Sequence, residues 1–125
     1  MKWIAIAGTW KLINTRVEED VRNEVREIIA HGDGIISGGA LGVDYIATDE
    51  ALHSQCLSSQ IKIIIPSTFE TYRDHYYKRS EEGVISKVQA NDLIAQLDHV
   101  KKLGSLVEGR EDVLNKEPWA DATGY

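Results

Sequence analysis

One ten-residue segment, IISGGALGVD at positions 35–44, restricts the fold of this chain more than any other. A short apolar run ends in a serine and two glycines, a third glycine follows, and an amphipathic segment then opens with an aspartate in its first turn. This order predicts a buried parallel strand, a tight glycine turn and a helix whose N terminus faces that turn. Glycine lets the backbone approach a ligand closely, and a helix N terminus offers unpaired N–H groups and partial positive charge. The segment therefore predicts an anion site, most often for phosphate, with the candidate residues Ser37, Gly38, Gly39, Gly42 and Asp44.

The hydrophobic pattern around this segment predicts alternating strands and helices. Apolar runs indicate strands at 3–7, 34–37 and 61–65, and segments with helical spacing lie between them at 15–31 and 43–52. Thr15 and Glu18 fit a capping box at the start of the first helix. The order β-α-β-α-β predicts a parallel sheet with right-handed crossovers. The unbroken apolar run at 3–7 is typical of a strand that is covered on both faces.

The pattern changes after Pro66, which cannot continue a central strand. A short aromatic helix is expected over 68–78, and a longer helix has an apolar stripe from Val84 and Val88 to Leu103. Leu106 and Val107 fit a short strand. We expect one domain over 1–125, with a βαβαβ core at 1–66, a helical part at 67–104 and an irregular tail at 105–125.

Three strands are fewer than the five or six of a usual doubly wound sheet. The sheet is therefore expected to be incomplete at one edge, or the chain to be a fragment. Because an exposed edge strand invites pairing, a homodimer or an unusual C-terminal cover fits this pattern.

Composition narrows the class of protein. The 125 residues are 42% hydrophobic and 27% charged, which is ordinary for a globular domain. The net charge of −6 argues against nucleic acid as a partner. The single cysteine, Cys56, excludes an internal disulfide and a cysteine-built metal site, and no metal-ligand spacing is present among the histidines. The absence of an 18-residue apolar run and of a signal peptide argues against a membrane association and predicts a cytoplasmic protein.

The motif SGGALGVD at 37–44, followed by Ala47 and by Ala51-Leu52, resembles the signature of the DprA/Smf DNA-processing family. It is similar also to the motif of the YspA-like proteins. Both groups belong to the SLOG superfamily of Rossmann-like nucleotide-binding domains, which includes the LOG phosphoribohydrolases. The resemblance covers about residues 3–66. It implies a Rossmann-like three-layer α/β/α fold with a mostly parallel sheet, incomplete here, and a bound nucleotide or phosphate as the ligand group.

This chain departs from the family patterns at informative positions. The arginine that follows the first family turn is Trp10 here, a basic residue of the second turn is Leu41, and the DprA-type histidine is Thr48. Each change removes a group that would contact phosphate or DNA. The LOG motif carries a glutamate on the helix after its turn, and none falls in register here. The resemblance to YspA-like proteins also implies that the chain lacks the second half of its sheet.

The expected function is binding of a nucleotide or nucleotide-derived small molecule at the ends of the first two strands, in a homo-oligomer such as a homodimer. The resemblance leaves two alternatives, a LOG-like nucleoside-monophosphate N-glycosidase and DprA-like single-strand DNA binding. The sequence does not decide whether the protein is an enzyme or which residue would be catalytic. The first turn adds the candidates Gly8, Thr9, Trp10 and Lys11 to the five residues of the second turn.

Most of these residues have a second interpretation. The glycines also fit a tight turn without a ligand, and the hydroxyls of Thr9 and Ser37 also fit ordinary turn bonds. Asp44 fits a ribose hydroxyl acceptor, a catalytic carboxylate or a helix cap. Trp10 fits base stacking or packing, and Lys11 fits anion binding or plain exposure.

Two further groups of charged residues stand outside the turns. Asp49 and Glu50 are predicted to lie on a solvated helix face. The stretch 72–79, YRDHYYKR, is basic and aromatic, so it fits either base stacking or a helix that anchors its rings and exposes its charges. For DNA binding, the residues to test are Arg73, Lys78 and Arg79.

Overall fold

Parallel strands form a single sheet in the computed structural model, which describes residues 1–8 and 14–109. The strands pair in the order in which they follow one another along the chain. They are β1 (Trp3–Ala5), β2 (Gly34–Gly38), β3 (Ile61–Ile64) and β4 (Leu106–Val107). The helices are α1 (Thr15–Ala30), α2 (Val43–His53), α3 (Phe69–Glu81) and α4 (Lys87–Lys102), and a short 3₁₀ turn spans Ser58–Gln60. The predicted α/β, Rossmann-like class with a parallel sheet is confirmed.

The strand order places the helices of the described residues on one face of the sheet. Right-handed crossovers that all step in the same direction across a sheet put every connecting helix on the same side. Ile35 and Ile63 on that side are fully buried, whereas Trp3 and Ile64 on the other side are 42% and 46% exposed. Within 1–8 and 14–109 the sheet therefore has one helical layer, and the second layer of a three-layer arrangement is not part of this region.

The prediction that β1 is covered on both faces is wrong for the described residues. Ile4 and Ile6 are partly buried and pack against the core, but Trp3 and Ala5 are exposed. The physical reason is position, because β1 pairs with β2 alone and its second face lies opposite the helices. Lys62 Nζ on β3 lies 4.7 Å from the centroid of the Trp3 ring on this open face.

The core between the sheet and the helices follows the predicted helical stripes. Their members on α1, α2 and α4 include Val25, Ile28, Ile29, Ala47, Ala51, Leu93, Leu97 and Val100, all of them buried. Val84 and Val88 are exceptions, since they are 47% and 66% exposed. The Ser86 hydroxyl accepts from the Gln89 N–H at 3.0 Å and starts α4 at Lys87, so Val84 lies before the helix. Val88 lies within α4 on the side opposite to the buried Leu97, since nine residues at 3.6 residues per turn make two and a half turns.

The start of α1 also differs from its prediction. The N-cap is Asn14, whose Oδ1 accepts from the Val17 N–H at 2.9 Å, and Thr15 is the first helical residue. Glu18 does not complete a capping box with Thr15, because its carboxylate bonds Arg22 Nε at 2.9 Å.

Arg22 connects α1 to α2 through a group of acidic side chains. Its guanidinium lies 2.8 Å from Asp49 and 3.3 Å from Glu50, and Glu50 is 7% exposed. The solvated face predicted for Asp49 and Glu50 is therefore wrong, since Glu50 is buried and Asp49 is half-buried. Because a carboxylate is costly to bury without a partner, Arg22 is what permits Glu50 to lie between the helices.

Replacement of Arg22 by alanine should lower the free energy of unfolding by about 2–4 kcal/mol. It leaves the buried Glu50 carboxylate with the Ser54 hydroxyl at 3.2 Å and a more distant ion pair, at 3.8 Å, with the exposed Arg26. Urea unfolding followed by circular dichroism measures the change. Arg16→Ala, which removes an exposed arginine from the same helix, is the control. Equal stability of the two variants would contradict the structural role given to Arg22.

Candidate functional site

The turn between β2 and α2 lies at the carboxyl ends of the strands, where the sequence predicts the ligand. The Ser37 hydroxyl donates to the Ile6 carbonyl at 2.6 Å and thereby ties the ends of β1 and β2 together. Gly8 follows β1, and a Cβ added to it would lie 2.8 Å from a methyl of Val43. The first turn of α2 therefore packs directly on the end of β1, and this contact requires a glycine.

The three glycines of the second turn each meet a different steric demand. A Cβ at Gly38 would lie 2.8 Å from Asp44 Oδ2, and a Cβ at Gly39 would lie 2.5 Å from Ile65 Cγ2. Gly42, the N-cap residue of α2, has φ of 79° and ψ of −130°, a conformation that glycine adopts without strain. Gly38 thus makes room for a carboxylate, Gly39 for the core, and Gly42 for the bend into the helix.

Asp44 is the buried acidic group of this turn. It is 8% exposed and lies near the Ser37 hydroxyl and the Ala40 N–H, both of which lower its pKa. Its Oδ1 is fully buried and has no hydrogen-bond partner, the one such side-chain atom among the described residues. Burial raises the pKa of Asp44 to about 6, although Ser37 and Ala40 act in the opposite direction.

Ser37 cannot satisfy both of its acceptors at once. Its hydroxyl carries one proton, which lies between the Ile6 carbonyl and the Asp44 carboxylate. A protonated Asp44 could donate to Ser37 and leave the serine proton to Ile6, whereas an ionised Asp44 competes for that proton. Burial and the unpartnered Oδ1 therefore disfavour the ionised form of Asp44, and Ser37 compensates for this only in part.

Among the described residues, no side chain caps the N terminus of α2, whose N-cap residue is Gly42. By contrast, Thr68 Oγ1 accepts from the Thr71 N–H at the start of α3, and Glu108 Oε2 accepts from the Phe69 N–H there at 3.1 Å. The backbone N–H groups of an uncapped first turn are available to an external acceptor. Asp44 and these N–H groups together offer a ligand both hydrogen-bond acceptors and donors.

Tyr72 supports the turn from α3, a role that the sequence does not predict. Its side chain is fully buried, and its hydroxyl donates to the Gly39 carbonyl at 2.9 Å. Gln96 of α4 donates to the Tyr45 carbonyl at 3.0 Å and holds the first turn of α2. The helical spacing of Tyr72 and Tyr76 is a signal for core packing, and a hydroxyl at the end of a core side chain needs an acceptor.

The structure brings together six of the nine predicted site residues, namely Gly8, Ser37, Gly38, Gly39, Gly42 and Asp44, at the ends of β1 and β2. Thr9, Trp10 and Lys11 lie outside the described residues. Within 1–8 and 14–109, no group of three His, Cys, Asp or Glu side chains is arranged to hold a metal ion.

The basic stretch at 72–79 divides between core and surface. Tyr72 and Tyr76 are buried and pack edge to face, with ring centroids 5.0 Å apart. Tyr77 is 36% exposed, Lys78 is exposed and Arg79 is half-buried. The stretch therefore offers a nucleic acid these three side chains near the C terminus of α3. Arg73 is already engaged, since its Nε lies 3.2 Å from Asp74 Oδ1.

A pocket of about 260 Å³ lies at the opposite end of the sheet, near the starts of β1 and β3. Its lining includes Trp3, Ser58, Lys62 and Ser105. Lys62 is its one ionisable side chain, and its ammonium lies against the Trp3 ring. The pocket lacks the convergent polar groups of a specific ligand site, so the turn after β2 is the stronger candidate.

Comparison with known proteins identifies the family of the chain. No curated protein and no solved structure matches it. No helix within 1–8 and 14–109 has the length and apolar character needed to cross a membrane. A family model described as DNA recombination-mediator protein A matches residues 1–102, which include all strands except β4 and the whole turn after β2. The match confirms the resemblance to the DprA/Smf proteins and points to a DNA-related role, which the net charge did not indicate. The chain belongs to the DNA recombination-mediator protein A family.

Proposed function

We propose that this domain binds a nucleotide at the turn between β2 and α2, with the phosphate at the N terminus of α2. One observation carries the proposal, namely the buried and unpartnered Oδ1 of Asp44. A carboxylate oxygen without a partner destabilises the folded protein by about 1–3 kcal/mol, and a ligand that supplies a donor would remove this penalty. The uncapped first turn of α2 supports a phosphate beside it.

Thermal shift measurements with the four ribonucleoside 5′-monophosphates, the four 2′-deoxy counterparts and inorganic phosphate test this function. At least one nucleotide should raise the melting temperature, because a ligand that binds the native state stabilises it. Gly38→Ala should abolish the shift, since its Cβ would overlap the Asp44 carboxylate. Chromatography of the incubated nucleotide for released base checks the N-glycosidase alternative.

The control for this variant is Gly32→Ala. Gly32 has φ of 88° and precedes β2, at the other end of the strand from Gly38. An alanine there introduces backbone strain and leaves the turn untouched. The proposal would be contradicted if no nucleotide raises the melting temperature of the wild type, or if the same shift persists in Gly38→Ala.

The carboxylate of Asp44 should also reduce stability in the absence of ligand. Its pKa is about 6 in the folded chain, above the value of 3.8 for a free aspartate. Between these values the folded state holds the proton that the unfolded state releases, so stability falls as the pH rises through this window and stays low above it. Asp44→Asn has no such proton to lose.

We therefore compare the free energy of unfolding of Asp44→Asn with that of the wild type at each pH. The difference should change by about 2–3 kcal/mol in favour of the variant between pH 4 and pH 7.5. Urea unfolding at several pH values measures the difference, with Asp20→Asn on the exposed side of α1 as the control. A difference that does not change with pH would show that Asp44 contributes to folding as an ordinary structural residue.

Single-strand DNA binding is the second candidate function, and it is supported by the family match and by the exposed basic end of α3. Tyr77 offers a ring for stacking, and Lys78 and Arg79 offer contacts to phosphate. Tyr72 connects the same helix to the glycine turn, so a strand bound along α3 would pass near that turn.

Fluorescence anisotropy with a labelled oligothymidylate at 20 mM and 200 mM salt tests this candidate. The variant Lys78→Ala/Arg79→Ala should weaken binding at low salt by about tenfold and reduce its dependence on salt. Lys87→Ala/Lys102→Ala, which removes two exposed lysines from α4, is the charge-matched control. No binding at 20 mM salt would exclude the candidate.

A further inference from the structure

The chemistry of Asp44 restricts which part of a nucleotide can lie beside it. When the carboxylate is ionised, Oδ1 is a hydrogen-bond acceptor and cannot donate. A phosphate has acceptor oxygens and negative charge, so contact between the two would leave both without a donor and would add repulsion. The group of the ligand that meets Oδ1 is therefore a neutral donor, and the phosphate binds elsewhere in the turn.

The position of Asp44 on α2 selects among the donors of a nucleotide. Asp44 is the second residue of the helix, so its carboxylate and the N–H groups of the first turn lie within about one helical pitch, roughly 5 Å. In a nucleoside 5′-phosphate the donors nearest to the phosphate are the sugar hydroxyls, and the amino groups of the base lie farther away. A phosphate on the α2 N terminus therefore places the sugar beside Asp44.

We propose that Oδ1 of Asp44 accepts a hydrogen bond from a sugar hydroxyl of the bound nucleotide, so that the site selects ligands with a free 2′- or 3′-hydroxyl. The inference rests on the proposed function, because it assigns one contact within that site. Two kinds of ligand share this chemistry: a free ribonucleotide carries both hydroxyls, and the 3′ end of a DNA strand carries the 3′-hydroxyl.

Within 1–8 and 14–109, the charged groups around α2 do not provide an alternative partner for Oδ1. Arg22 and Arg26 of α1 are paired with the acidic residues of the later part of α2. Burial raises the pKa of Tyr45, and the charges of Asp49 and of Asp92 on α4 act in the same direction. Lys62 of β3 lies on the open face of the sheet. The pKa of Asp44 itself is set by burial and by its bonds from Ser37 and Ala40.

Isothermal titration of the ribonucleotide with the largest thermal shift, and of its 2′-deoxy and 3′-deoxy forms, tests the assignment. Loss of the critical hydroxyl should weaken binding on the order of ten- to hundredfold, because hydrogen bonds to a charged acceptor are strong. The dissociation constant of the form that lacks this hydroxyl, divided by that of the parent ribonucleotide, should increase between pH 5 and pH 7.5 as Asp44 ionises. Titration of the ligand phosphate is the same for each form and cancels in this ratio.

Asp44→Asn is the matched variant. The substitution removes the titrating charge and replaces one carboxylate oxygen with NH₂, a hydrogen-bond donor. We expect this variant to bind the hydroxyl and deoxy forms with a ratio near one at every pH. A pH-dependent preference that survives in Asp44→Asn would overturn the assignment.

The outcomes separate the inference from the function on which it rests. No binding of any nucleotide overturns both, whereas equal binding of all three sugar forms by the wild type overturns the inference alone. A loss confined to the 3′-deoxy form supports a ligand such as a DNA 3′ end. A loss with the 2′-deoxy form supports a free ribonucleotide.

Discussion

The close approach of α2 to the ends of β1 and β2 is the contact on which the rest of the site depends. Val43 packs where a side chain on Gly8 would be, and the Asp44 carboxylate packs where a side chain on Gly38 would be. These contacts bury the Asp44 carboxylate. The burial raises the pKa of Asp44 and leaves its Oδ1 without a hydrogen-bond partner. A larger residue at either glycine would move α2 away and return Asp44 to solvent.

The turn after β2 carries a local cost in stability. The burial of Asp44 disfavours its ionised form, and Ser37 has one proton for two acceptors. Elsewhere the described chain satisfies its buried charges, as it does for Glu50 with Arg22 and Arg26. Natural proteins retain such local costs chiefly at functional sites, and for this reason the unpartnered oxygen carries more weight here than the glycine motif alone.

Much of the fold could be predicted from the sequence, because the helical and strand periods of its apolar residues are regular. The stripe of Val25, Ile28 and Ile29 and the short strand at Leu106 both appear in the structure. The burial of Glu50 could not be predicted, because it depends on a specific polar contact, the ion pair with Arg22. Periodicity records which side of a helix faces the core and contains no information about such pairings.

The tertiary contacts of the glycine turn could be predicted from the sequence only in part. Glycines after β2 indicated close approach, but whether a glycine admits a ligand, a carboxylate or a core side chain depends on tertiary contacts. Gly39 illustrates the point, since Ile65 and Leu97 occupy the space beside it. Tyr72 illustrates the converse, because a ring that fits base stacking by sequence supports the turn from the core instead.

The strand order also determines what a ligand contacts. A doubly wound sheet forms its crevice where the strand order reverses, and the order β1-β2-β3-β4 does not reverse among the described strands. This part of the chain therefore supplies one wall of a site, made of the β2 turn and α2, beside the free edge of β1. A site with one wall binds a ligand weakly, because the few contacts that it makes offset little of the free-energy cost of association. Discrimination between a hydroxyl and a hydrogen depends on that buried wall alone, and so the ratio of affinities reports on Asp44 even where each affinity is low.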